Sequence, residues 1–434
     1  MEDILRIAAK RCEQAELYRV VRQETPASFE ANRLKMLETK ETSGMALRIV
    51  KDGRVGLSAT NDAGDIEGLI DRAIELSAFG PPAKFELPGP AEYAKVRFYD
   101  RATEDLPIET MVETGQSMID ALRQGNPDLV CEAGVTKVTS QLEISNTRGL
   151  HASHKRSSYS ASLHGQLVRG TDMLFVGDWN SSVRPDIDPK KLIARVREQL
   201  EQARETVPAP TGDVPVVFHP HAVASALLSP LLVALNGRTV LQGASPLQHK
   251  LGERLLDARF SLWDDPTLDM RPGSRSFDDE GIPTRRNALI ENGIPQMFLY
   301  DLQTAGLAGK ESTGSAARGL ASLPSPSSSL LLVKAGDTPY RSMIAGIQDG
   351  LLVEQLLGVG QGNVLGGEFG GNVLLGYRIQ NGKITGRVKD TMLSGNVYEA
   401  LNKIVSLGSE AEWVGGSLQT PAICCEGVTI SSKA

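Results

Sequence analysis

LLGYRIQNGKITGRV, residues 374–388, reads as two β arms folded about Asn381-Gly382. Asn-Gly suits such a turn because type I′ geometry needs positive φ at both central residues, which Asn tolerates and Gly adopts freely. The same pattern recurs in RNALIENGIPQMFLYD (286–301), about Asn292-Gly293, and in MALRIVKDGRVGLSAT (45–60), about Asp52-Gly53. Hairpins therefore punctuate both halves of the chain. Strands in series, with helices gathered between them rather than alternating one for one, argue an α+β fold rather than a doubly wound parallel sheet.

Working outward from the hairpins, residues 3–16 have helical periodicity, with Ile4, Ile7, Ala8 and Cys12 near one face. Asn61-Asp62 can cap a helix over AGDIEGLIDRAIELSAF, and Pro107 opens another that ends at Gly125. Between them GPPAKFELPGPAEY (80–93) is a Pro/Gly linker. After three strand-like segments and a turn at Asn146–Gly149, DPKKLIARVREQLEQARETV carries Leu192, Val196, Leu200, Ala203 and Val207 on one stripe, behind Asp188-Pro189. PAPTGDVP (208–215) then marks a boundary. The expected organisation is an N-terminal α+β domain over 1–207, built of helix/strand blocks at about 1–80 and 105–207 around mixed sheets with a linker at 80–95. A hairpin-rich, mostly antiparallel β domain with a few helices occupies 213–434. The likeness of the two N-terminal blocks hints at an internal duplication.

The 434 residues are 41% hydrophobic and 23% charged, with a net charge of -7 and no Lys/Arg cluster. Phosphate contacts supply most nucleic-acid affinity, so this balance argues against that partner. No apolar run approaches the roughly 18 residues of a membrane span, and the charged start does not read as a signal peptide, which implies a cytoplasmic protein. Four scattered cysteines, Cys12, Cys131, Cys424 and Cys425, do not make a disulfide framework. Neighbours on a strand point to opposite faces, so Cys424 and Cys425 are expected to be one core and one surface residue.

VVFHPHAVASALLSPLLVAL (216–235) raises the question of metal chemistry, because His219 and His221 sit where a strand hands over to a helix. A catalytic zinc needs three protein ligands and a base, and the helical form puts a Glu directly after the first His. Ala222 stands after His221, Ser225 and Ala226 occupy the places where a second helical ligand could be, and Pro230 interrupts the run. The pair reads as a polar helix start, with metal ligation by His219 and His221 as the alternative. His151, His154 and His164 could converge on neighbouring strands, but read as scattered surface histidines. The glycines of GVGQGNVLGGEFGGN (358–372) and the AGKES segment fit neither a phosphate loop nor a dinucleotide fingerprint, and no G-x-S-x-G elbow occurs. Asp264-Asp265 reads as a solvated turn. No complete catalytic set emerges from the residues alone.

Several stretches nevertheless resemble the TldD/PmbA family, formerly called modulators of DNA gyrase. They are EANRLKMLETKETSGMALRIVKDGRVGLSAT (30–60), PLQHKLGERLLDARFSLWDDP (246–266), GIPTRRNALIENGIPQMFLYDLQTAGLAGKESTGSAAR (281–318) and GGEFGGNVLLGYRIQNGKITGRVKDTMLSGNVYEALNKIVSLG (366–408). The resemblance implies a cytosolic peptidase system for unfolded or extended peptides, with two kinds of subunit. One kind carries a His-Glu-x-x-x-His helix and a C-terminal Cys that bind zinc; the PmbA (TldE) kind lacks them and pairs with the first. HPHAVASALLSP and WVGGSLQTPAICCEGVTI depart from the zinc pattern, so the chain is similar to the PmbA kind. On that resemblance the chain is expected to hold no catalytic or metal residues, and zinc is expected in a TldD-type partner. Peptide contacts are expected from loops at 310–318 and 360–372, and would include Ser312, Thr313, Gly314, Arg318, Gly367 and Phe369. The alternative is a catalytically inactive homodimer that binds peptides.

Overall fold

The computed structural model describes residues 2–432. The hairpin turns are where the sequence puts them. Asp52, Asn292 and Asn381 have φ of 49°, 50° and 49°, and the glycines after them have 69°, 78° and 74°. Each is the paired positive-φ geometry of a type I′ turn.

The first half forms one seven-stranded sheet. Its order runs 54–60, 40–51, 14–30, 130–146, 151–169, 172–182, with Arg33–Leu37 added beside the outer part of Gln14–Glu30. Every pairing is antiparallel. Two three-strand meanders meet through the central pair of strands, and the helices Ile66–Ser77 and Pro189–Gln202 come after the last strand of each. The similarity of the two blocks is thus a repeated meander within a single sheet. Mixed pairing belongs to the second sheet instead.

That second sheet has thirteen strands. Val216–Phe218 lies in its middle, parallel to Asp349–Leu357 on one side and antiparallel to Leu418–Cys425 on the other. Its residues are buried on both faces: Val216 and Phe218 pack with the helical run just after them, while Val217 packs with the helices of the first half. Met118, Ile119 and Leu122 of the helix Ile108–Gly125 share that second cluster with Leu192, Val196 and Leu200 of Pro189–Gln202 and with Leu352 and Tyr377. The layers are therefore sheet, helices, sheet, helix. Helix Pro189–Gln202 sits between the two sheets and can reach both.

A charged seam ties the first sheet to the second half. Arg48 donates to Glu16 at 3.0 Å and to Glu280 at 2.6 Å, and Arg318 lies 2.7 Å from Glu16. All four side chains are at most 2% exposed. Two guanidinium groups meet two carboxylates, and burial pushes Glu280 up to about 7 against the pull of Arg48. Among the described residues no helix is long and apolar enough to cross a membrane.

Several expectations need correction. The first helix is Glu2–Ala8, not 3–16, because Gln14 already begins the long central strand and Cys12 lies between the two. The next helix is capped by Asp65, whose side chain accepts from the Gly68 N–H, rather than by Asn61-Asp62. Cys424 and Cys425 are both buried, at 1% and 0%, because their strand is covered on both faces. Asp264 and Asp265 are not solvated: Asp264 accepts from the N–H groups of Ser329 and Leu330, and Asp265 from Thr267.

Candidate functional site

Backbone chemistry decides how the strand before His219 becomes a helix. Strand Val216–Phe218 ends at His219, whose N–H still donates to the Val353 carbonyl at 2.9 Å. Pro220 then starts the helix; it has no N–H to lose in the first turn and its φ is already helical. The chain stays helical from Pro220 to Ala234, straight through Pro230. A π turn over Val223–Leu228 makes this possible. Proline cannot donate to the carbonyl four residues earlier and crowds it, and a widened turn just ahead absorbs both effects. Ala222, Val223, Ala226, Leu227, Leu228 and Leu231 are all buried, so this is a core helix with a polar entrance.

At that entrance the imidazole rings of His219 and His221 lie parallel, 5.8 Å apart with 5° between their planes. His219 Nδ1 is 3.6 Å from Glu354 Oε2, and His221 Nε2 is 3.5 Å from Asp178 Oδ1. Both nitrogens are buried and make no hydrogen bond. Glu354, only 2% exposed, is held by the Arg195 guanidinium, which also donates to Glu198 at 2.8 Å. Asp178 accepts from the Trp179 N–H at 2.9 Å, and the Trp179 ring stands 6.4 Å from His221. Asp178, Trp179, Arg195 and the two histidines line a cleft of about 750 Å³, along with Arg271, Glu412 and Trp413. Five separate stretches build it: the end of the first sheet with the loop after it, the helix between the sheets, the strand-to-helix corner, and the segments 269–271 and 411–413.

Burial sets the protonation here. It pushes His219 well below the usual histidine range, helped by the Arg195 cation and by His221. Burial also lowers His221, against the pull of Glu354. Asp178 is pushed up to about 6 by desolvation, only partly offset by its backbone hydrogen bond. At neutral pH the entrance therefore holds two neutral imidazoles, an ion pair and a carboxylate that takes up a proton near pH 6.

These residues do not fit a zinc ion. The two imidazoles face different carboxylates, one of those carboxylates is already taken by the Arg195 guanidinium, and the helix offers Ala222 and Ala226 where a base and a further ligand would be needed. Among the described residues no three His, Cys, Asp or Glu side chains come together as a metal cluster. Burial pushes the Cys424 thiol up to about 12 and Cys425 well above its usual value, the opposite of an activated thiolate.

The remaining sequence candidates are dispersed. His151 contacts Ser145, His154 packs on Phe98 and Phe277, and His164 lies against Gly177, so the three do not converge. Ser312 lines a surface recess of about 410 Å³ and donates to the Tyr300 carbonyl. Thr313 is buried and bonded to the same carbonyl, and Gly314 supplies a φ of 68° at its bend. Arg318 is buried over the Tyr18 ring, 4.0 Å from its centroid. Gly367 turns the chain with a φ of 87°, and Phe369 packs edge-on against Phe218 in the core. Peptide contact through the Arg318 or Phe369 side chain would require the interior to open.

Sequence reading missed Arg195, Glu354 and Asp178. Glu354 had left a signal, as a lone carboxylate inside the apolar run GLLVEQLL (350–357). A charge in a buried strand needs a partner. Arg195 and Asp178 had none, since nothing local says which of many charged residues will meet it.

The comparisons agree with this architecture. Residues 211–432 match the model of the PmbA/TldA metallopeptidase C-terminal domain, and 15–77 that of PmbA/TldA metallopeptidase domain 1. The crystal structure of TldE from Thermococcus kodakarensis is similar over 100% of both chains, with 26% identity and a TM-score of 0.92. A metalloprotease PmbA homologue of Haemophilus influenzae is 24% identical over 91% of this chain and 82% of its own. A metalloprotease TldD homologue from the same organism is 27% identical over 76% of this chain and 70% of its own.

Proposed function

The chain belongs to the PmbA/TldD family, and from that premise we propose that it is a PmbA/TldE-type subunit of a cytoplasmic metallopeptidase that processes extended or unfolded peptides. It supplies part of the peptide-binding chamber, and a TldD-type partner supplies the zinc. The observation that carries this reading is the entrance of the helix Pro220–Ala234. His219 and His221 are directed at Glu354 and Asp178, Arg195 is paired with Glu354, and the helix behind them is apolar. The π turn at Val223–Leu228 supports it further. Residues five apart share a face on a π turn but not on an α-helix, and a His-Glu-x-x-x-His motif has its histidines five apart. The backbone device is present, while Ala222 stands where the Glu would be and Ala226 where the second His would be.

In this role the chain's own residues bind and orient rather than react. Trp179 and Trp413 give the cleft apolar surface for side chains, and Asp178 offers an acceptor to a peptide N–H. The test is zinc content of the purified chain, then peptidase assays alone and with a TldD-type subunit. Well under one zinc per chain, with cleavage of an unfolded peptide only in the mixture, is the expected result. One zinc per chain, lost in His219→Ala or His221→Ala, overturns it. Peptide binding by a stable homodimer, with no effect of the added subunit, would replace it by the inactive binding protein.

A further inference from the structure

The charged seam between the halves extends beyond its four paired side chains. A tight turn, closed by the bond from the Asp278 N–H to the Ile282 carbonyl at 2.9 Å, carries Asp278 and Glu280. Asp301 caps the helix Leu302–Ala308 beside it. Glu280 joins the two. Its Oε2 accepts from the Leu302 N–H at 2.7 Å, and its own N–H donates to Asp278 Oδ1 at 2.9 Å. Its Oε1 accepts from Arg48 of the first sheet. Asp278, Glu280 and Asp301 are each 0% exposed.

The charges gathered there do not balance. The buried carboxylates are those of Glu16, Asp278, Glu280 and Asp301, and the guanidinium groups buried with them are those of Arg48, Arg275 and Arg318. Arg275 is shared with a further buried carboxylate, Asp264. The other groups in reach do not close the gap. Arg156 and Asp279 attract each other and offset. His154 is neutral, because burial and the cations of Arg156 and Arg275 lower it to about 3. Tyr18 and Tyr93 are pushed up by burial and carry no charge in the neutral range. Four carboxylates with three guanidinium groups leave a negative charge out of water, and taking up a proton removes it. In keeping with this, desolvation raises both Asp278 and Glu280, and the charges of Asp278 and Asp301 raise Glu280 further.

We propose that the closed seam holds a proton on the carboxylate cluster of Asp278, Glu280 and Asp301, and that giving it up as pH rises loosens the second half from the first sheet. The proton belongs to the cluster and not to one residue. Opening lets water reach the carboxylates, which then ionise in their ordinary range and no longer need it. The closed state thus binds one proton more than the open state, and rising pH favours opening. Glu280 is raised from 4.5 to about 7, so its contribution is full below about pH 4.5 and is lost as pH rises through about 7. The histidine cleft takes Asp178 and Trp179 from the first sheet and His219 and His221 from the second half, so the hold of the seam bears on the cleft. The device does not depend on the peptidase reading, since none of its three carboxylates lines that cleft.

The test compares the native chain with Glu280→Gln by urea denaturation from about pH 5 to 8. Hydrogen exchange of segments 278–282 and 301–306, read by mass spectrometry and corrected for the intrinsic rate at each pH, reports the seam itself. Gln carries no charge and offers one oxygen where Glu offers two, a loss that does not vary with pH, so the readout is the change with pH. Relative to the native chain, the variant should gain up to about a hundredfold in folding constant between pH 5 and 8, most of it below about pH 7. Protection of the two segments should fall with rising pH in the native chain and hold level in the variant. Asp301→Asn keeps a helix-capping side chain and removes one charge, and should show the same gain if the first variant misfolds. Glu113→Gln, at an exposed helix position, should show none. A stability difference that stays constant across this range, one that Glu113→Gln matches, or seam protection that follows pH identically in native chain and variant, would overturn the proposal.

Discussion

Replacing Arg195 by Met tests the charge logic of the histidine cleft. The guanidinium is 19% exposed and Glu354 is 2% exposed, so the substitution leaves a carboxylate buried and unpaired. Removing one partner of a buried pair costs roughly 3–5 kcal/mol, and the partial exposure of Arg195 argues for the lower end, about 3 kcal/mol. That is a fall of about a hundredfold in the folding constant. The size of the penalty should depend on pH, and the sign can be worked out. In the native chain His219 has a folded pKa below its unfolded value, so the unfolded chain binds the proton more readily and stability is lost as pH falls below about 6.5. Burial, the larger cause, still holds the imidazole down, but without Arg195 the cation that adds to it is gone, and Glu354 faces His219 Nδ1 from 3.6 Å. His219 then charges more readily and replaces the lost guanidinium.

His221 and Asp178 shift the same way, because Arg195 lowers both of them. The folded variant therefore gains protons relative to the native fold as pH drops. The difference in stability between variant and native protein should shrink from about 3 kcal/mol at pH 8 to roughly half that near pH 5.5. Urea denaturation monitored by tryptophan fluorescence measures it, and histidine Cε1–H titration by NMR reports His219 directly. Groups remote from Arg195 cancel in the difference. The double variant Arg195→Met/Glu354→Gln, which removes both charges, should lose less than Arg195→Met alone. A penalty below about 1 kcal/mol, or one that does not change with pH, would refute the reasoning.

The seam between the two halves makes a parallel case. Arg48→Met leaves Glu16 and Glu280 with one guanidinium between them, and should cost roughly 3–5 kcal/mol in urea denaturation, partly recovered by adding Glu280→Gln. Gly306→Ala should destabilise by about 2 kcal/mol or more, because the 1.6 Å approach to the Lys84 carbonyl outweighs the roughly 1 kcal/mol that Ala gains over Gly in a helix; a higher Tm would contradict the close packing. Cys131, Cys424 and Cys425, all buried, should resist a thiol reagent in the native protein and react only in denaturant; rapid native labelling of Cys425 would contradict the covered strand.

Local chemistry explains which parts of this fold could be read from the sequence. Asp52-Gly53, Asn292-Gly293 and Asn381-Gly382 each specify their own turn, and Asp188-Pro189 its own helix start, because the decisive contacts lie within four residues. Cys424 and Cys425 were misjudged for the converse reason. Alternation tells which residues share a face, but whether both faces are covered depends on helices from the other half. Pro230 misled in the same way, since the π turn that accommodates it is a tertiary compromise inside an apolar core. At the site, His219 and His221 were visible as chemistry. Arg195 and Glu354 lie 159 positions apart, so their pairing is a property of the layers and not of any motif.

Those layers also decide whether the zinc motif could be rebuilt. Ala222→Glu and Ala226→His would recreate His-Glu-x-x-x-His from His221 onward, on a helix that still has its π turn. Both alanines are 0% exposed, so the new side chains enter a packed core, where extra volume costs roughly 1–3 kcal/mol a site. The new carboxylate enters an apolar cluster, and the Arg195 cation of the neighbouring cleft is already engaged by Glu354 and Glu198. A divalent ion in the same space would meet that guanidinium at close range, and the repulsion opposes binding. The double variant is therefore expected to bind zinc well below one per chain, and to approach one only when Arg195→Met is added. Elemental analysis of both variants, with circular dichroism to confirm folding, makes the comparison. Full zinc in the folded double variant with Arg195 intact would mean that the missing ligands alone, and not the surrounding charge, keep the native cleft from holding metal.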